Sequence, residues 1–318
     1  MAPGPTRVSF RARPDRKLTD ELLRVLREEI DQTARAVADG RQAERKRIQR
    51  ARKGTKRSRA LLRLLRSQAP SVYDVENPWL RDSARKLSSL RDADALVEAC
   101  DRLARSDSDA TSKRALAQLK AALSRWRRES RPDTATVERE LGRFVERLGE
   151  STQRLKRVTL PPGDFDALAP ELQKLYRQAR RAFQTAYEQP SAPAFHAWRK
   201  ATKRLSYAIR FLRCAWPGEI KVFGKTLKKI GSLLGDDHDL AMLETFLRDH
   251  AAIARPSSAH LLNRLRIEVA RLRGEAEPLG QRAFALKPRA FAEAMNSWWA
   301  AARRPRTRKA GPASKSDH

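Results

Sequence analysis

The chain has 318 residues, with 68 Lys+Arg against 38 Asp+Glu and a formal charge of +30. No apolar run approaches the ~20 residues of a membrane span, and the first 17 residues lack the apolar stretch of a secretory signal. The two cysteines, Cys100 and Cys214, have no metal-ligand spacing, which points to a reducing cytoplasm and away from a disulfide framework or zinc finger.

Ala, Leu, Arg, Glu and Lys dominate, while the 13 Gly and 17 Pro gather at breaks, so the expected fold is all-α, with roughly ten helices. The first is expected over Leu18–Asp39, with Thr19 as N-cap candidate and Gly40 as the stop. A second runs from Arg41 to Gln68, ahead of Pro70. Val75–Ser89 follows, then a helix from the Arg91-Asp92 pair to Arg105, then Ala110–Glu129 and Ala135–Arg157. Pro161-Pro162-Gly163-Asp164 breaks the chain. Beyond it, helices are expected over Phe165–Tyr187, Pro193–Ala215, Glu219–Leu234, Asp239–Ala254, Ser257–Gly274 and Lys287–Arg303. The expected organisation is a mobile basic segment (1–17), from which Val8-Ser9-Phe10 can dock on the bundle, and a first helical half (18–157). A Pro/Gly linker (158–164), a second half (165–303) and a disordered basic tail (304–318) complete it.

The two halves resemble each other. Sliding Gln49–Glu98 onto His196–Thr245 at a constant offset of 147 gives 14 identities in 50 positions, among them Arg52/Arg199, Thr55/Thr202, Lys56/Lys203, Pro70/Pro217 and Asp92/Asp239. Shared Arg, Lys and Leu bias accounts for part of the excess over chance; the matched Thr, Pro and Asp point to an internal duplication. The expected architecture is a pair of helical bundles with pseudo-two-fold symmetry around a basic central pore or groove.

Self-repulsion at +30 opposes a compact fold unless a polyanion neutralises it: nucleic acid, an anionic membrane surface or a non-nucleic polyphosphate. Helical spacing shows where the charge points. In the second half Ala201, Leu205, Ala208, Ile209 and Leu212 make an apolar stripe, and His196, Arg199, Lys203, Tyr207 and Arg210 lie opposite it, flanked by Lys200. The first half repeats the row with Arg45, Arg52, Lys56 and Arg63, flanked by Lys53 and Arg59, and has Gln49 in place of His196. Lys221, Lys225 and Lys228 add a further row, matched by Arg81 and Arg85, while His238 aligns with Arg91. Like charges at these spacings cost roughly 0.2–0.5 kcal/mol per pair. Phosphate oxygens would convert that repulsion into charge-assisted hydrogen bonds.

These residues carry a family resemblance. HAWRKATKRLSYAIRFL followed by LLGDDHDLAML, and in the first half RKGTKRSRALLRLLR followed by ENPWLRDSARKLSSLRDADALVE, resemble the CHAD family, the conserved histidine α-helical domain, from about Val8 to Arg303. The resemblance implies an all-helical pseudo-two-fold pair of bundles that binds inorganic polyphosphate and associates with polyphosphate granules. It matches the family's histidines to His196 and His238, and its basic pore positions to Arg52, Lys56, Arg63, Arg199, Lys203 and Arg210. Gln49 and Arg91 depart from a symmetric histidine pattern. No room or acidic strand pattern is left for the CYTH domain often fused to this family.

Three functions compete. Non-catalytic polyphosphate binding needs only Lys and Arg at helical intervals, with His196 and His238 as further donors. General polyanion or nucleic-acid binding shares the charge, yet no nucleic-acid-binding signature is visible and aromatics are only 6%. Trp126, Trp298 and Trp299 read as core. An enzyme would need more than His238-Asp239: there is no phosphate-binding Gly-Lys loop, no nucleophile elbow and no metal-ligand set, and Asp239 reads as a helix cap. The expectation is therefore no catalysis, cofactor or metal.

Overall fold

The structure is a computed structural model that describes residues 10–89, 92–105, 109–250 and 258–303. Among the described residues it is all helical, without a strand. The helices are α1 (Leu18–Ala38), α2 (Glu44–Leu65), α3 (Pro70–Ser89), α4 (Asp92–Arg105), α5 (Ala110–Glu129), α6 (Thr134–Lys156), α7 (Phe165–Glu188), α8 (Ala192–Phe211), α9 (Glu219–Asp249), α10 (Ser258–Ala283) and α11 (Pro288–Arg303). Short polar side chains start several of them. Asp109 accepts from the Ser112 N–H at 2.7 Å, Asp133 from the Thr136 N–H at 2.8 Å and Ser191 from the Ala194 N–H at 3.3 Å.

Each helix buries its apolar face in one continuous core. Leu18, Leu22, Leu26 and Ile30 of α1 are wholly buried against α2 and α6; Leu168, Leu172 and Tyr176 of α7 do the same against α8 and α11. Helices α1, α2 and α5 begin 147 or 148 residues ahead of α7, α8 and α10. The neighbours repeat as well: α2 packs on α3 and α8 on α9, while α4 packs on α5 and α9 on α10. The α4–α5 hairpin makes only a slight contact with α3; α4 lies mainly on α9, and α5 reaches α10.

Four expectations change. The predicted break between Leu234 and Asp239 does not occur, because α9 runs unbroken from Glu219 to Asp249. The Gly235-Asp236-Asp237 run has poor helix propensity, but its acids are held by arginines of other helices. Arg273 donates to the buried Asp237 at 2.7 Å, and Arg102 pairs with Asp236 at 3.2 Å and Asp239 at 2.8 Å. Asp239 is therefore mid-helix and caps nothing. Thr19 is not the N-cap of α1 either: Lys17 holds that position. The Thr19 hydroxyl accepts from the Gly163 N–H at 2.9 Å and faces the Pro161 and Gly163 carbonyls, fastening the Pro-Pro-Gly loop onto α1. Finally, α10 continues past Gly274 and Pro278 to Ala283, where Tyr176 and Arg180 of α7 donate to the Ala283, Leu286 and Phe284 carbonyls.

Residues 10–17, expected within the mobile segment, pack on the bundle. Phe10 is buried between the Arg57 and Arg210 guanidinium groups, and the Ala12 N–H donates to the Phe211 carbonyl at 2.9 Å. Val8, Ser9, Arg91 and the tail 304–318 lie outside the described residues.

Candidate functional site

Helices α2, α4, α8 and α9 enclose a cavity of about 490 Å³. α2 lines it with Gln49, Arg52, Lys53 and Lys56, one helical face at i, i+3, i+4, i+7. α8 contributes His196, Arg199, Lys200 and Tyr207 from the face opposite its core stripe; Phe195, Trp198, Leu205 and Ile209 point the other way and are buried. His238, Asp239 and Met242 come from α9, and Ala95 and Glu98 from α4. Four pairs at the 147-residue offset share this lining: Gln49/His196, Arg52/Arg199, Lys53/Lys200 and Ala95/Met242.

The cavity is electropositive despite its two carboxylates. Glu98 is bound by Arg45 at the rim, and Asp239 by Arg102 at 2.8 Å. The His196 and His238 rings meet at 4.0 Å between centroids. Burial, reinforced by His238, Lys200, Arg199 and Lys56, lowers the His196 pKa to about 4. His238 is lowered too, by burial and then by Arg199, with Asp239 and Asp237 opposing. Both rings are therefore neutral near pH 7. The buried His196 Nδ1 and Arg199 Nε have no hydrogen-bond partner among the described residues. Lys203 is half-buried, its pKa lowered by burial and by Arg199, Lys228 and Lys53. Its stem crosses α9 at Gly231, where a Cβ would stand 2.8 Å from Lys203 Cε. Only glycine leaves room for the lysine there.

The remaining predicted residues lie around this centre. Arg59 and Arg63 continue the α2 face beyond the cavity and sit near Arg204. Arg210 lies beside Arg57 at the Phe10 seat. Arg81 and Arg85 are exposed, and each pairs with Asp82 at 2.9 Å. Lys221, Lys225 and Lys228 are exposed on α9 and do not line the cavity. Glu98, Ala95 and Met242 are not among the expected site residues. The offset alignment already pairs Arg57 with Arg204 as an identity and could have linked Ala95 to Met242; the pairing of Glu98 with Arg45 depends on tertiary contact alone.

The chain is of the class of all-helical domains whose cationic helix faces converge on one cavity. The CHAD domain family model matches residues 22–248, and the chain belongs to the CHAD family. Its structure is similar to the crystal structure of the CHAD domain from the plant Ricinus communis, with a TM-score of 0.57 and 19% identity over 93% of this chain and 97% of that one. No curated protein matches the chain. No helix among the described residues is long and apolar enough to cross a membrane.

Proposed function

We propose that the chain binds inorganic polyphosphate in this cavity without acting on it, and that the cavity lies on the pseudo-two-fold axis of two duplicated halves. One observation carries the reading: Arg52, Lys53 and Lys56 of α2 and Arg199 and Lys200 of α8, on helices from different halves, face one enclosed space. Family membership supports it, since CHAD proteins are associated with polyphosphate. A flexible chain of phosphoryl groups carries dense charge without bases, so point charges from Lys and forked donors from Arg suffice to hold it. His196 Nδ1 and Arg199 Nε are additional polar atoms for its oxygens. The four offset-related pairs in the lining and the repeated helix neighbours support the duplication. The protein's place on this reading is the cytoplasm, on polyphosphate granules.

The test is calorimetry with polyphosphate of defined length beside duplex DNA and tRNA at equal phosphate and several salt concentrations. Polyphosphate is expected to remain bound in the presence of excess nucleic acid; equal displacement by either would favour a general polyanion binder. The Arg199→Glu/Lys203→Glu variant is expected to lose at least tenfold in affinity, and unchanged binding refutes the cavity as the site. Purified protein is expected to release no orthophosphate from the polymer.

A further inference from the structure

The cavity gathers five of the 68 Lys and Arg residues, so a ligand there leaves most of the +30 surplus unanswered. A second concentration of cations lies away from it, on α5. From Ala110 to Arg128 that helix carries no acid. At about 100° per residue, Ala115, Leu116, Leu119 and Leu123 share one buried face, and Lys113, Arg114, Arg125 and Arg128 fall on the opposite, exposed one. Lys120 and Arg127, on one flank, pair with Asp101 at 2.6 Å and Asp94 at 3.1 Å, both on α4. The four outward cations make no ion pair among the described residues.

Helix α10, which begins 148 residues later and packs on α9 as α5 packs on α4, is built differently. It carries Glu268, Glu275 and Glu277, and its exposed Arg271 pairs with both Glu268 and Glu275. One helix neutralises its outward charge and the other leaves it for a partner. Like charges held at helical spacing repel, and an anion placed among them turns that repulsion into charge-assisted hydrogen bonds.

What lies between the cations narrows the partner. Ala117, Ala121 and Ser124 separate the Lys113–Arg114 end from the Arg125–Arg128 end and let a surface come close to the helix. No large apolar side chain stands there to enter a lipid interface or to anchor a protein partner. No aromatic ring on α5 faces outward to stack on single-stranded bases: Trp126 is turned in, 4.8 Å from the Phe246 ring. Lys113 and Arg128 are fifteen residues apart, about 22 Å at the α-helical rise. An α-helix fits the B-form major groove, about 12 Å wide, and a rod of this length seated there brings both cationic ends to the flanking phosphates. The narrow major groove of duplex RNA does not admit it. We infer that the outward face of α5 is a separate binding surface for duplex DNA, lying in the major groove and held by phosphate contacts. The inference is independent of the polyphosphate reading, since α5 lines no part of the cavity, and both polyanions are expected to bind at once.

Fluorescence anisotropy of a short labelled DNA duplex with the full chain, at several salt concentrations, tests this. Four phosphate contacts predict that log K falls with log salt at a slope of about −3 to −4, taking about 0.9 per contact. Arg125→Gln/Arg128→Gln should weaken DNA binding at least tenfold at low salt and reduce the slope by about 2, with polyphosphate affinity unchanged. Arg266→Gln, which removes the same charge from an exposed position on α10, should leave DNA affinity unchanged. The cavity variant Arg199→Glu/Lys203→Glu should lose polyphosphate affinity and keep its DNA slope. Duplex RNA of the same sequence should bind at least tenfold more weakly than DNA. The substituted α5 side chains are exposed and unpaired, so that variant should melt with wild type. Equal DNA affinity in wild type and Arg125→Gln/Arg128→Gln, a DNA slope that collapses only in the cavity variant, or equal affinity for RNA and DNA overturns the α5 surface. Wild-type protein that binds no duplex DNA at low salt also overturns it and leaves the proposed function standing. DNA binding on α5 without any polyphosphate binding supports this surface and overturns the proposed function alone.

Discussion

Acidification is the perturbation with the clearest expected response. In the free protein His196 is held near pKa 4 by burial and by His238, Lys200, Arg199 and Lys56. Polyphosphate would neutralise those cations and favour the imidazolium. Each pKa unit between free and bound states is worth tenfold in affinity. Full restoration to about 6.5 would strengthen binding by about thirtyfold between pH 7.5 and 5. His196 keeps substantial contact with solvent, and screening reduces this to roughly three- to tenfold. The sign is fixed: affinity rises as pH falls through 6.5 toward 4, and protons are taken up on binding. Titration at pH 5.5 in two buffers of different ionisation enthalpy measures that uptake directly. His238 and the raised Asp236 and Asp237 titrate nearby, so His196→Gln isolates one ring. If wild type and His196→Gln bind with the same pH dependence and the same proton uptake, the reasoning about the histidine pair is wrong.

Other consequences are as open to measurement. Without ligand, the depressed histidines bind fewer protons folded than unfolded, so their contribution to stability is present above about pH 6.5 and is lost as pH falls toward 4. A melting temperature scanned over that window should decline, and His196→Gln should flatten the decline. Five cavity cations predict that log K falls with log salt at a slope of about −3 to −4, taking about 0.7 per contact; a slope near zero would exclude an electrostatic site. Gly54→Ala would place a Cβ 2.7 Å from Thr33 Cβ at the α1–α2 contact. Overpacking of that kind costs about 1–3 kcal/mol and should appear as a drop of several degrees in thermal unfolding. Glu76 is buried and accepts from Ser151 and Arg154, each at 2.5 Å; Glu76→Ala should lower stability by about 1–3 kcal/mol without changing polyphosphate affinity.

Much of this architecture is legible in the sequence because helices announce themselves by period and punctuation. The 3.6-residue repeat places Leu205 and Ile209 inward and Arg199 and Lys200 toward the cavity, and Pro161-Pro162-Gly163 marks the loop between α6 and α7. Offset alignment pairs Arg52 with Arg199, and both side chains line the cavity. What the sequence hides depends on distant partners. The continuity of α9 through Gly235-Asp236-Asp237 needs Arg102 and Arg273, neither of which is local. The fixing of Thr19 to the Gly163 loop likewise overrides its capping preference. The acids of the cavity wall, Glu98 and Asp239, come into view only once α4 lies on α9. Arg81 and Arg85 share the spacing of the central rows, yet Asp82 beside them is enough to occupy their charge at the surface.

The placement of the α4–α5 hairpin bears on how this chain can be divided. Two helices encoded upstream of the Pro-Pro-Gly loop rest largely on helices encoded downstream of it. Truncation at that loop would uncover the faces where α4 meets α9, so neither fragment is expected to fold on its own. Proteolytic nicking there should instead yield a nicked but intact particle, and fragments produced separately should need each other to become soluble.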